Sequence, residues 1–331
     1  MLISHLICHL LHRQKTIWPL EHAQAPPKES PMESRWLQAF VAVADELHFG
    51  RAATRLRIAQ SPLSQIIRKL EKEVGVPLFD RNTRSVSLTA AGRALLPHAY
   101  RVLDELRLAK EAAQSSLGTI YGNVSIGFAG ALNHKTLPPL TRAVRQRYPN
   151  VALTLMGRVM TRDGVEQVEQ GALDLAFVGL PLDPMPPVQT RLIRRETFGA
   201  VLPTDHPLAR RKDIDLADLA DDGFITTPVS AGSALQDAAM QACVKAGFRP
   251  RIVQEITDPY MILTLVSAGV GIALMTSGVA SILPSGSIFL PLRGEQTYMN
   301  HGLAWSAENP SPALKAVLDV AEEVLPTPNE D

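Results

Sequence analysis

Apolar residues recur every three or four positions between Trp36 and Glu46, at Leu37, Phe40, Val41, Val43 and Ala44, and this spacing predicts a first amphipathic helix. A second begins near Phe49, with Ala52, Ala53 and Leu56 inward and Arg51, Arg55 and Arg57 left to solvent or phosphate. After a short break at 57–60, Ser61-Pro62 places a proline in the first turn of a third helix, where a missing N–H is harmless. That helix runs to about Glu73, with Leu63, Ile67 and Leu70 inward and Ser64, Gln65, Arg68 and Lys69 facing elsewhere. Two helices joined by a tight turn can set a helix end into a major groove. An ordinary three-helix subdomain gives the same pattern. Residues 77–88 then read as two short strands around a polar turn, a wing after the third helix.

Thr89 is placed to cap a long helix reaching about Leu117. Leu95, Ala99, Val102, Leu106, Ala109 and Ala113 follow one another at alternating spacings of four and three, a seam that calls for a partner helix or for packing on its own domain. Beyond Gly118 the texture changes. Apolar runs at 124–128, 151–155 and 173–178 alternate with helical segments at 137–147 and 163–170, which implies βαβ units and a mostly parallel sheet. Further strands and helices fill 196–292, with helices near 233–246 and 259–267, and 311–325 is a last amphipathic helix.

The chain has 331 residues, 46% hydrophobic and 20% charged, enough for two or three domains with cores of their own. Its formal net charge of zero hides a division. Between Phe49 and Arg93 nine Lys/Arg face three acids, a local charge of +6 that suits a polyanion. Cys8 and Cys243 lie too far apart for a disulfide framework or a metal cluster, so no metal or cofactor is expected and a cytoplasmic setting is the simplest reading. The apolar stretch 2–11 is too short to span a bilayer, contains His5 and His9 and lacks a signal-peptide pattern. Residues 1–31 read as an extension, untranslated or disordered, before patterned sequence that starts at Met32.

Ala52-Ala53, Leu56, Ile58, Gln60-Ser61-Pro62-Leu63-Ser64, Ile67 and Leu70-Glu71 resemble the helix-turn-helix of LysR-type transcriptional regulators. Gly75-Val76-Pro77-Leu78-Phe79-Asp80-Arg81 and Leu88-Thr89-Ala90-Ala91-Gly92 resemble that family's wing and linker entry, and residues 266–273 its sensor domain. The resemblance implies an all-α winged helix-turn-helix domain at 32–90, a dimerising linker helix at 89–118 and an α/β effector domain at 120–325. That last domain is expected to have two lobes, like a periplasmic binding protein: lobe I at about 120–195 and 297–325, lobe II at about 196–296. It further implies a homodimer or homotetramer on an interrupted palindrome in double-stranded promoter DNA, a small-molecule effector, RNA polymerase as a further partner, and no membrane.

Carried over to this sequence, Gln60, Ser61, Pro62, Ser64 and Gln65 stand where the family contacts bases and nearby phosphates. Gln pairs with adenine and Pro62 can touch a thymine methyl. Many relatives carry Arg at the position of Gln65, so a guanine contact does not carry over. Arg51, Arg68, Arg81 and Arg84 are better suited to phosphates, with a solvated face as the alternative for each. The effector site falls at Ala129, Gly130, Ala131 and Leu132 on one lobe and Thr226, Thr227, Pro228, Val229 and Ser230 on the other, where free amides and helix N-termini suit an anion. His134 and Lys135 add charge to the cleft or face water. Ser233 reads as a plain helix N-cap, Gly269 and Gly271 as turn positions, and Cys243 as a core thiol.

An enzyme on the same two-lobed scaffold is the rival class. The sequence has no G-x-S-x-G, Walker A, H-E-x-x-H or C-x-x-C, so no catalytic residue is expected. A DNA-binding protein whose sensor domain serves only assembly is the second rival, and the cleft loops, rich in Gly, Ala and Thr, do not separate it from a ligand-gated regulator.

Overall fold

The computed structural model describes residues 32–81, 86–115, 118–294 and 298–328. Three helices open it: α1 Ser34–Glu46, α2 Phe49–Leu56 and α3 Gln60–Val74. The apolar stripes read from the sequence meet in one core, with Phe40, Leu63, Ile67 and Leu70 fully buried. Each helix ends on a left-handed residue, Leu47, Arg57 and Gly75 in turn. A two-stranded wing follows, β1 Phe79–Arg81 paired antiparallel with β2 Val86–Leu88. Glu71 fastens the wing to α3, its Oε1 accepting from the backbone amides of Leu78 at 3.0 Å and Phe79 at 3.3 Å.

The long helix α4 spans Ala90–Ser115. Thr89 caps it as expected, its Oγ1 accepting from Gly92 N at 2.9 Å and donating to Pro77 O at 2.8 Å. Gly92 is required at this crossing, because a Cβ there would stand 2.2 Å from the Leu78 carbonyl oxygen. The expected seam divides in two. Leu95 and Ala99 pack into the core of the three-helix domain, so this half is intramolecular, whereas Val102 (46% exposed) and Leu106 (53%) face outward.

Beyond α4 lie β3 Gly122–Phe128, α5 Leu137–Arg147, β4 Val151–Gly157, α6 Thr161–Glu169, β5 Leu175–Leu180 and β6 Val188–Pro203. They are followed by β7 Gly223–Thr226, α7 Ala234–Lys245, β8 Arg251–Glu255, α8 Pro259–Ser267 and β9 Ala273–Thr276. The chain then closes with β10 Ser287–Pro291, β11 Tyr298–Ser306 and α9 Pro312–Val324. The expectation of a mostly parallel sheet is corrected here. Among the described strand pairs β3·β4, β3·β5 and β7·β8 are parallel, while β11 runs antiparallel to both β5 and β6, and β6 antiparallel to β9 and β10. The cause is topological: β11 returns from the far end of the chain and inserts between β5 and β6.

β6 is the spine of the domain. Its first part pairs with β11, and its second part pairs with β9 and β10. Two lobes result. One is built on β3, β4, β5 and β11 with α5, α6 and α9 around a core including Val124, Leu175 and Val317. The other surrounds Phe224, Leu274 and Cys243 with α7 and α8. Cys243 is wholly buried and burial pushes its thiol up to about 11, which makes it inert core. Gly269 does occupy a left-handed turn (φ +74°), while a Cβ at Gly271 would stand 2.5 Å from the Gly223 carbonyl oxygen.

Candidate functional site

Two surfaces carry candidate chemistry. The first is the N-terminal end of α3. Because Leu63, Ile67 and Leu70 commit one face to the core, helical geometry turns Gln60, Ser61, Pro62, Gln65 and Arg68 outward, all exposed, with Ser64 half-exposed beside them. Ala59 occupies the cap position and supplies no side-chain acceptor, so the amides of Gln60 and Ser61 begin the helix without an internal partner. Two free donors, two amide side chains and two hydroxyls therefore share one exposed helix end, where the helix dipole is positive.

The cations around it are not all free. Arg51 Nε donates to Glu46 Oε2 at 3.1 Å and its Nη2 to the Glu46 carbonyl, and Arg55 Nη1 donates to Asp45 Oδ2 at 2.8 Å. Both arginines remain solvent-exposed, as expected, but each is paired with an acid that ends α1. Arg68 is exposed and makes no ion pair among the described residues. Arg81 ends β1, and Arg84 lies outside the described residues, as does the 1–31 extension.

The second surface is the cleft between the lobes, which is closed. Arg162 N donates to Gly232 O at 3.2 Å from one lobe to the other, and His134 Nε2 lies 3.0 Å from Ser281 Oγ. Contact at Gly179 is so close that a Cβ there would stand 2.4 Å from the Ala234 Cβ. The 3-10 turn Gly130–Asn133 projects Leu132 across the cleft into the core of the opposite lobe. Between the lobes a cavity of about 40 Å³ is bordered by Ala129, Leu132, Thr161, Ser233 and His301. A neighbouring one of about 20 Å³ is bordered by Leu132, Thr226, Thr227, Ser233 and Gln236. These volumes suit one or a few water molecules.

Of the effector positions read from the sequence, Ala129, Leu132, Thr226 and Thr227 border these cavities. Gly130, Ala131 and Pro228 do not, and Val229 and Ser230 sit on the exposed turn 229–231. The placement of residues 229–231 has a local reason. Gly232, left-handed at φ +64°, ends that turn and directs Ser233 inward, where its Oγ caps α7 by accepting from Gln236 N at 3.3 Å. His134 serves as a latch between lobes rather than a free charge.

The sequence reading missed Thr161, Gln236 and His301. Thr161 starts α6, two residues before the expected start, and its Oγ1 accepts from Gly179 N at 2.9 Å. Gln236 Oε1 is buried without a hydrogen-bond partner among the described residues. Beside His301, Glu196 is buried, receiving Arg194 Nε at 2.6 Å and Gly278 N at 3.3 Å, with His301 Nε2 at 3.5 Å. Burial alone would raise its pKa, but His301, Thr276 and Arg194 outweigh that and hold its carboxyl well below the usual range. No Lys or Arg borders either cavity. Among the described residues no His/Cys/Asp/Glu group could hold a metal ion and no helix is long and apolar enough to cross a membrane.

Comparison with known proteins matches residues 34–93 to the model of the bacterial regulatory helix-turn-helix protein, lysR family, and residues 89–326 to the LysR substrate binding domain. The transcriptional regulator ShiR of Corynebacterium glutamicum (strain R) is 50% identical over 294 residues, covering 89% of this chain and 99% of that protein. AlsR of Bacillus subtilis (strain 168), also a transcriptional regulator, is 36% identical over 88% of this chain and 95% of its own length. Among solved structures, full-length CbnR in complex with its target DNA superposes with a TM-score of 0.66 at 25% identity, covering 88% of this chain and 99% of that one.

Proposed function

Because the chain belongs to the LysR family of DNA-binding transcriptional regulators, and is therefore a regulator rather than an enzyme, we propose that it reads promoter DNA with the N-terminal end of α3 and is modulated by a small anionic effector held between its lobes. The observation that carries the first half is the uncapped, exposed helix end at Gln60–Gln65. Gln60 and Gln65 supply the paired donor and acceptor that reads adenine, Pro62 an apolar contact for thymine, and Ser61, Ser64 and the free amides contacts to phosphate. Arg68, Arg81 and Arg84 add positioning charge, with Arg51 available once it leaves Glu46.

The proposed assembly is a homodimer through the outward half of the α4 seam, Val102, Leu106 and Ala109, and a homotetramer through the sensor domains. Two strand edges support the second step. β4 ends its sheet with Leu155 and Met156 exposed, and β8 is exposed along its whole length. A dimer or tetramer of this kind matches an interrupted palindrome in cytoplasmic promoter DNA, and RNA polymerase is the machinery it would influence.

For the effector, the hydroxyls of Thr161, Thr227 and Ser233 and the N-terminal end of α7 favour an anion held by hydrogen bonds rather than by a Lys or Arg. Opening and closing of the lobes would then alter how the dimers sit on DNA and the bend they impose. The rival reading, a constitutive regulator, draws support from the small size of the two cavities at Leu132, against which stands a groove of about 670 Å³ bordered by Arg162 and Glu166 of one lobe and Gly232 and Asp237 of the other. A titration of promoter DNA at several salt concentrations, with a footprint for the wild type and for Gln60→Ala/Ser64→Ala, tests the first half: an interrupted palindromic footprint weakened by the variant is expected, and uniform salt-controlled binding sinks it. Melting-temperature shifts with small organic acids test the second half. A shift abolished by Thr161→Val supports gating, whereas no shift from any of them favours the constitutive reading.

A further inference from the structure

We infer that His48, the residue that opens α2, is a positioning residue for Gln60: its imidazole, seated over Gly50, restricts the Gln60 side chain to the orientations that meet a base pair. This role rests on the reading of α3 given above and gives Gln60 a partner outside that helix. A Cβ at Gly50 would stand 2.9 Å from His48 Cε1, 3.2 Å from His48 Nδ1 and 3.8 Å from Gln60 Oε1. The ring and the side-chain amide therefore border one small space, and a residue without a side chain leaves the ring its place there.

The imidazole is held firmly. Its Nδ1 accepts from Arg51 N at 3.2 Å, capping α2, and the His48 carbonyl accepts from Ala52 N at 3.0 Å. The next residue, Phe49, is buried against Phe79. An accepting Nδ1 puts the proton of the neutral ring on Nε2, so the ring cannot turn over without losing the cap. The turn into α3 is equally defined. Ile58 N donates to Ala53 O at 3.0 Å, and Arg57 is left-handed at φ 57°.

Gln60 itself is exposed, and its side chain makes no hydrogen bond among the described residues. Such a side chain has several open rotamers, and selecting one on DNA costs conformational entropy. A flat ring on one side removes some of those rotamers before DNA arrives. The benefit is realised only where Gln60 finds its base, so it appears as discrimination between base pairs and not as charge-driven affinity.

The test is competition binding of the full chain to the footprinted promoter site and to single-base-pair variants of that site. Wild type, His48→Ser, Gly50→Ala, Gln60→Ala and His48→Ser/Gln60→Ala are compared. Both α2 variants are expected to fold, because Ser is itself a preferred N-cap and Ala has a higher helix propensity than Gly, and melting temperatures check this. Gln60→Ala identifies its base pair as the one at which discrimination falls. At that base pair His48→Ser is expected to lose discrimination roughly three- to tenfold. Gly50→Ala should do likewise, since its methyl displaces the ring without removing it. In the double variant His48→Ser should add nothing to the effect of Gln60→Ala. Unchanged discrimination in either α2 variant, or a loss that adds in full to that of Gln60→Ala, overturns the positioning role and leaves Gln60 a reader. Equal weakening of every site by the α2 variants also overturns it, making His48 a phosphate contact alone. If Gln60→Ala alters no base-pair preference, base reading by Gln60 fails and the role of His48 fails with it.

Discussion

Arg107 Nη2 on α4 donates to Asp174 Oδ1 at 2.6 Å, joining the long helix to the residue that leads into β5. The pair is one bond of a knot. Arg107 also donates to Asp104 Oδ1, to Glu111 Oε1 at 2.8 Å and to the Asn123 carbonyl at 3.0 Å. Asp174 Oδ2 accepts from Ser125 N and Oγ, and Glu111 Oε2 accepts from Ser311 Oγ at 3.0 Å. The first part of α4 packs in the core of the three-helix domain and its second part is bolted to one sensor lobe, so a displacement of that lobe has a stiff path to the helix-turn-helix.

Replacing Arg107 with Ala leaves Asp174 and Glu111, both largely buried, without their cation. The expected loss is about 2–4 kcal/mol of unfolding free energy, read from the urea midpoint. Hydrogen exchange should show lost protection along 104–115 first, and unchanged exchange there would contradict the proposed stiffness of the joint.

Leu106→Glu addresses the outward half of the seam. With Leu106 53% exposed, the substitution is expected to change the stability of an isolated subunit by no more than about 0.5 kcal/mol. It should nevertheless convert the protein to monomers in sedimentation and weaken binding to the two-half-site operator. An unchanged mass would place the dimer contact elsewhere.

The pH response of the lobe junction follows from Glu196. Its carboxyl is held below the ordinary carboxylate range in the folded state, so its contribution is fully present above the unfolded value of about 4.3. That contribution is lost as pH falls through the lower folded value. Asp104 acts oppositely: burial raises its pKa despite Arg107, so protonation in the folded state begins at a higher pH and favours folding as the medium becomes acidic. Glu196→Gln should therefore shallow the fall of stability with acidification below about pH 4, and Asp104→Asn should steepen it. Urea titrations between pH 7 and pH 3 measure both slopes.

Local chemistry was legible in the chain wherever a face is decided by neighbours three or four residues away. Leu63, Ile67 and Leu70 fixed the outward set on α3, Thr89 announced the start of α4, and Ser233 the start of α7. What depended on distant segments was not. Strand β11 lies more than a hundred residues from β5, which it flanks, so no local alternation could reveal its antiparallel insertion or bring His301 to the cleft. Leu95 and Ala99 carry the same spacing as Val102 and Leu106, and only the position of the helical domain decides which pair is covered.

The reading of α3 separates specificity from affinity in a single comparison. Gln65 is exposed on the face that Leu63 and Ile67 turn away from the core, and Arg68 lies one turn further on without a carboxylate partner among the described residues. If Gln65 reads an adenine, Gln65→Ala should cost about 1–3 kcal/mol on the native operator and almost nothing on a site mutated at that base pair. Arg68→Ala should weaken native and mutated sites alike and reduce the slope of log K against log salt by about 1. Competition titrations of both operators at two salt concentrations measure all four quantities. Equal loss on both operators for Gln65→Ala would move that residue to the phosphate backbone, and the sequence-reading role on α3 would pass to Gln60 and Ser64.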